Sequence, residues 1–166
     1  MSKKTSRPRN KIDLQRVYKS AGQPDRKQIK AWVDAALAGC GQGHHCVVRI
    51  VDLPESAELN QQYRHKQGPT NILSFPFDWP EGMNDLNDDG RIYLGDLVVC
   101  APVVEKEAFE QNKALEHHWA HIVIHGVLHL MGYDHIDEAE AERMESKEIA
   151  ILETLHISNP YIEVIN

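Results

Sequence analysis

The residues best suited to chemistry lie in one run, His125-Gly126-Val-Leu-His129-Leu-Met-Gly132-Tyr-Asp134-His135. On an α-helix, positions i and i+4 lie about 40° apart around the axis, so His125 and His129 project from one face. Gly132 can take the left-handed conformation that ends a helix, after which the chain turns and His135 swings back as a third imidazole. Two ligands on one helical turn and a third beyond a glycine break leave a bound metal with an open coordination position. That arrangement suits a metal-dependent hydrolase.

Six of the ten histidines fall between positions 117 and 135, and His118, His121, His125 and His129 form a single helical stripe. Core histidines satisfied by backbone carbonyls are the competing reading. Three imidazoles converging at this spacing favour ligation instead, to zinc, with nickel or copper able to replace it. His121 reads as a residue that orients a ligand, and His117 and His118 read as the polar start of the helix. The pattern H-E-x-x-H-x-x-G-x-x-H of metal-dependent peptidases matches at His125, His129, Gly132 and His135. Gly126 stands where that pattern needs its glutamate, the general base for peptide hydrolysis. Three neutral imidazoles leave the full dipositive charge on the metal, which lowers the pKa of bound water and favours an anionic substrate such as a phosphodiester. With no base in the motif, a metal-bound hydroxide or Asp134 is left for that role.

A second cluster runs from Leu59 through Tyr63-Arg64-His65-Lys66 and Pro69-Thr70 to Ser74-Phe75-Pro76. An arginine at a helix end can fork onto a phosphate and stabilise charge that develops there. Alone, Arg64 would read as a surface residue on a solvated helix. Lys66 and Ser74 are the accompanying substrate-binding candidates. A third stretch, Asp85 to Asp96 with Gly90, mimics an EF-hand loop. Pro76 and Pro80 before it and a β-branched strand overlapping it exclude the flanking helices, so residues 81–90 read as an acidic hairpin loop.

The elements that must position these groups follow from periodicity. Strands are expected at 12–18, 46–51, 71–75 and 91–100, with Gly95 marking a bulge or a close backbone approach. Helices are expected at 25–39, 55–65, from 102 to about 112, from 115 to Gly132, and at 138–155. The histidine helix carries Ile122, Val123, Ile124, Val127, Leu128, Leu130 and Met131 and has almost no polar face, so it belongs in the core. On the last helix, Ala141, Met144, Ile149, Ile151 and Leu152 are the expected buried side. Strands first and helices last give an α+β domain.

The chain has 166 residues, enough for one domain with a full core, and is 42% hydrophobic and 26% charged. No apolar run approaches the ~20 residues that cross a membrane. The basic N-terminus lacks the apolar stretch of a secretory signal. Cys40, Cys46 and Cys100 form no C-x-x-C pair, which favours reduced thiols in the cytoplasm. Net charge is −7, but residues 1–30 hold ten Lys/Arg against two Asp, leaving +8 on that part and −15 on the rest. Residues 1–10 are expected to be a disordered basic arm, and 11–166 a single domain. A basic arm on an acidic body permits local phosphate binding.

His125-Gly-x-Leu-His129-Leu-x-Gly132-Tyr133-Asp134-His135 resembles the signature of the YbeY family of bacterial endoribonucleases. Tyr63-Arg64, Pro69-Thr70, Leu73-Ser74-Phe75-Pro76, Leu94-Gly95-Asp96 and Ala120-His121 are similar to further motifs of that family. The resemblance covers roughly residues 46–155. It implies that 11–166 is a single metal-dependent ribonuclease domain, α+β, with a mixed sheet of about four strands and about five helices. The metal, of zinc type, would sit at the C-terminal end of a buried central helix, on His125, His129 and His135. It implies that Arg64 is the catalytic arginine and that single-stranded RNA is cut. The implied setting is rRNA processing, in maturation of the small-subunit rRNA 3′ end and in ribosome quality control. Ribosome or small-subunit components are the implied partners, with neither DNA nor membrane. The rival is a ribosome-assembly factor without catalysis, holding a structural metal. Asn71 departs from the family pattern, where an aspartate follows Pro-Thr, and puts a carboxylate role in that turn in doubt.

Overall fold

Along residues 9–78 and 90–162, which the computed structural model describes, strands and helices follow in the order β1 (Lys11–Arg16), α1 (Arg26–Ala36), β2 (His44–Val51), α2 (Leu53–Arg64), β3 (Ile72–Pro76), β4 (Ile92–Cys100), α3 (Ala101–Glu110), α4 (Leu115–Leu130) and α5 (Glu138–Thr154). Most of the basic arm and of the 81–90 acidic stretch therefore lies outside the described residues. Among the described residues the architecture is α+β, with a four-stranded mixed sheet and five helices. Its strand order is β1-β2-β4-β3, with β1, β2 and β4 parallel and β3 antiparallel to β4.

The sequence supplies the local reasons. Asp25 caps α1 through a capping box with Gln28, and Asp52 and Asp137 accept the Glu55 and Glu140 amides at the starts of α2 and α5. Cys46, Val48 and Ile50 of β2 point into the main core, as alternation in a half-covered central strand requires. The opposite face carries a smaller cluster of Val51, Leu73, Val98 and Cys100, joined by Leu59 of α2.

Gly95 is both things the sequence suggests. The β2–β4 register slips between His45 and Cys46, opposite Tyr93 and Gly95. Gly95 has φ +136°, and a Cβ there would lie 2.1 Å from the Phe75 carbonyl oxygen of β3.

Helix α4 is the spine of the fold, as its lack of a polar face predicts. It packs against α1, α3, α5, β3 and β4, with Trp119, Val123, Ile124, Val127 and Leu128 fully buried. Gly126 lets it lie close on the sheet, because a Cβ there would stand 2.4 Å from Ile72 Cδ1 and 2.9 Å from Leu97 Cδ2. On α5 the buried side is Met144, Glu148, Ile151 and Leu152, whereas Ala141 and Ile149 are only half-buried. A glutamate in that stripe is the main departure from the sequence expectation.

Candidate metal centre

Helix α4 ends in a Schellman motif. The Gly132 amide donates to the His129 carbonyl at 3.0 Å and the Tyr133 amide to the Leu128 carbonyl at 3.0 Å, with Gly132 at φ +103°. The reversal returns the chain over the helix end. Asp134 Oδ1 then accepts the His135 amide at 2.7 Å, fixing the turn that carries His135 back. The imidazoles of His125, His129 and His135 form a triangle with ring centroids 4.6, 5.1 and 5.3 Å apart. One nitrogen from each lies within 4.8 Å of the others.

The protonation pattern fits a cation. His125 Nδ1 is hydrogen-bonded to Glu148 Oε1. A carboxylate accepts and the ring donates, so His125 carries a proton on Nδ1, which in the neutral ring leaves the lone pair on Nε2. That Nε2 faces His129 Nε2 at 3.1 Å. Burial lowers the pKa of His129, helped by neighbouring His125 and His135, so His129 is held as the neutral form that ligates metal. Three imidazoles, one of them oriented by a carboxylate, are a donor set that can hold a metal ion.

Glu148 is fully buried, and both its oxygens are engaged. His121 Nε2 meets Oε2 at 3.1 Å, and the Tyr161 hydroxyl donates to the same oxygen. Burial pushes this carboxyl up, but the bonds from His121, His125 and Tyr161 together outweigh it and bring it down to about 2. Sequence reasoning did not single Glu148 out. A usable signal existed, because position 148 lies four residues after Met144 and three and four before Ile151 and Leu152.

The three imidazoles open onto a cleft of about 850 Å³. Its lining also includes Tyr63 and Arg64 from the end of α2, Asn71 just before β3 and Ser74 of β3. Arg64 and the three histidines, about 60 residues apart in sequence, thus line one cavity. Arg64 is exposed in the last turn of α2, just before His65 closes the helix in the left-handed conformation. Among the described residues no side-chain hydrogen bond or ion pair occupies its guanidinium. Asp134 is the one carboxylate among the described residues lining the cleft.

Not every candidate lines the cleft. Lys66 is exposed on the turn after α2 and outside the lining. Ser74 lines it, but its hydroxyl donates to the Gly126 carbonyl at 3.3 Å and ties β3 to α4. His121 lies behind the centre, on Glu148. His118 is not a solvated helix start: it is buried, with Nε2 3.0 Å from Glu107 Oε1. Asn71 donates to the same Glu107 at 3.2 Å, an interaction that an aspartate could not make. The glutamate position of the peptidase pattern is the packed Gly126 contact described above, where a Cβ would press on the Ile72 and Leu97 side chains.

Comparison with known proteins gives a consistent picture. The family described as Endoribonuclease YbeY matches residues 14–156. A relative from Methylococcus capsulatus named Endoribonuclease YbeY is 57% identical over 155 residues, spanning 92% of this chain and 96% of its own. One of the same name from Colwellia psychrerythraea is 52% identical over 156 residues, spanning 92% and 97%. A solution structure of a Thermotoga maritima protein is 26% identical, with a TM-score of 0.55, and the alignment covers 91% of this chain and 99% of that one.

Proposed function

The chain belongs to the YbeY family of endoribonucleases, and from that premise we propose that it is a metal-dependent endoribonuclease specific for single strands. Its setting is rRNA processing in the cytoplasm, in maturation of the small-subunit rRNA 3′ end and in ribosome quality control. Residues 11–166 are the ribonuclease domain on this reading, and ribosomal components are its partners. No described helix is long and apolar enough to cross a membrane.

The observation that carries the reading is the shared cleft, lined both by three imidazoles suited to a metal and by an uncommitted arginine. His125, His129 and His135 would hold zinc. When bound, the ion supplies Lewis acidity and a water of lowered pKa. Arg64 binds the scissile phosphate through its planar fork and stabilises the charge that grows on it. Lys66, outside the cleft, adds positive potential at its rim. Ser74 and Asp134 lie among the lining residues, and Asp134 is the group there that can take up a proton. Tyr63 is 57% exposed, edge-on to Phe75 at 5.1 Å, and offers a ring on which an unpaired base can stack. A duplex keeps its bases stacked inward, so such a surface favours single strands.

Arg64→Glu tests this directly. Cleavage of a single-stranded RNA oligonucleotide should vanish while zinc content, read by atomic absorption, stays at the wild-type value. His129→Ala should lose both. Persistent cleavage by purified Arg64→Glu protein would remove Arg64 from the mechanism.

A further inference from the structure

Behind the three imidazoles lies a second layer of side chains drawn from α4, α5 and the chain after α5. The carboxylate of Glu148 takes three hydrogen bonds, from His125 Nδ1 on Oε1 and from His121 Nε2 and the Tyr161 hydroxyl on Oε2. Tyr161 also packs edge-on against the His121 ring at 5.4 Å, with its oxygen 3.3 Å from Nε2. We propose that Glu148, braced by His121 and Tyr161, is a positioning device that holds His125 in the Nδ1-protonated tautomer with Nε2 presented to the metal, so that the segment after α5 helps to set metal affinity. The inference rests on the metal reading of His125, His129 and His135.

The physical argument starts from burial. A fully buried carboxylate persists as an anion only when donors compensate its lost hydration. Three donors do so here, and one of them is the outer nitrogen of a ring whose inner nitrogen faces His129 at 3.1 Å. Since the anion can only accept, it forbids the tautomer that would place the proton on Nε2. An unbraced imidazole would divide between tautomers and ring orientations and would lose affinity accordingly. His121, Glu148 and Tyr161 therefore act through His125 and have no need to touch substrate. The other reading of this cluster is a separate cation held by His121, His125 and Glu148, whose donor atoms also lie within 4.8 Å of one another. It is disfavoured because His125 Nδ1 donates to Glu148 Oε1 and so has no lone pair for a second cation.

The test compares wild-type protein with Glu148→Gln and Tyr161→Phe, using zinc alone as the probe. Zinc affinity is read by chelator competition, and imidazole tautomers by long-range proton–nitrogen NMR on the metal-free protein at neutral pH. Glu148→Gln should weaken zinc about 10- to 100-fold and give His125 a mixed or Nε2-protonated signature. Tyr161→Phe, a change in a partly exposed residue that leaves the helices intact, should weaken zinc several-fold and decides the matter if Glu148→Gln does not fold. Zinc affinity within twofold of wild type in the folded variants, with His125 still Nδ1-protonated, overturns the proposal. So does a stoichiometry of two zinc ions per wild-type chain. His129→Ala separates the two levels: unchanged zinc affinity in that variant would sink the metal reading itself, whatever Glu148 does.

Discussion

At position 126 a glutamate would complete a peptidase motif, yet a Cβ there would already press on Ile72 and Leu97. The missing base therefore reflects close packing of helix on sheet as much as a different chemistry. Gly126→Glu should cost about 4 kcal/mol or more, through overpacking and a buried unpaired charge. Denaturant titration should show that loss, and peptide-cleavage assays no gain. Tyr63 can be probed without touching the core. Tyr63→Ala should weaken binding of a single-stranded oligonucleotide by ~1–3 kcal/mol, roughly 5- to 150-fold, while Tyr63→Phe binds like wild type. Fluorescence anisotropy reads both, and undiminished affinity of the alanine variant would rule out stacking. At this scale the three imidazoles stand out in the sequence because their types and spacing are unusual in themselves, whereas Arg64 stands out only through the family resemblance. The sequence did not disclose Glu148, since a glutamate on an amphipathic helix is ordinary until its surroundings are known.

Among the elements, α4 and the loop after it do the most to build the site. The helix fixes two imidazoles by periodicity alone, but the third depends on a backbone reversal at Gly132. Gly132→Ala puts a Cβ on a residue at φ +103° and should cost about 1–3 kcal/mol. Because His135 follows three residues later, zinc affinity should fall together with stability. A variant that loses stability alone would show that His135 reaches the centre independently of the Schellman turn. The element boundaries were legible to within a few residues, because Asp caps, Pro54 near the start of α2 and the glycines are local signals. The inner side of α5 was read less well. Its apolar stripe is completed by Glu148, whose place is decided by histidines on another helix.

For the whole molecule, the buried titratable groups set the pH response. Burial lowers His44 below its ordinary 6.5, and burial followed by its two histidine neighbours lowers His129. The unfolded chain therefore binds more protons than the folded one just below pH 6.5, and metal-free protein loses stability as pH falls through that window. Glu107 and Glu148 add a second loss at lower pH. Burial raises both, but hydrogen bonds from His118 and Asn71 to the first, and from His121, His125 and Tyr161 to the second, leave each below 4.5. Their contribution is complete above 4.5 and disappears as pH falls toward the folded values. Both windows slope the same way. Thermal melts of metal-free protein should give a plateau above about pH 7, a first decline below 6.5 and a steeper one below 4.5. A Tm that rises on acidification from pH 7 to 5 would contradict this assignment.

The sequence by itself determined what is local: which segments coil or extend, where helices start and stop, and that two histidines on one helical turn precede a glycine break and a third. These follow from backbone geometry and from the chemistry of individual side chains, and need no knowledge of neighbours. Only the tertiary structure decided that Arg64 lines the same cleft as those histidines. It alone closed α4 onto the sheet at Gly126, and it alone made Glu148 the shared acceptor for His121, His125 and Tyr161. Each of these joins residues more than ten positions apart, and such contacts exist only once the sheet and helices have buried their apolar faces against one another.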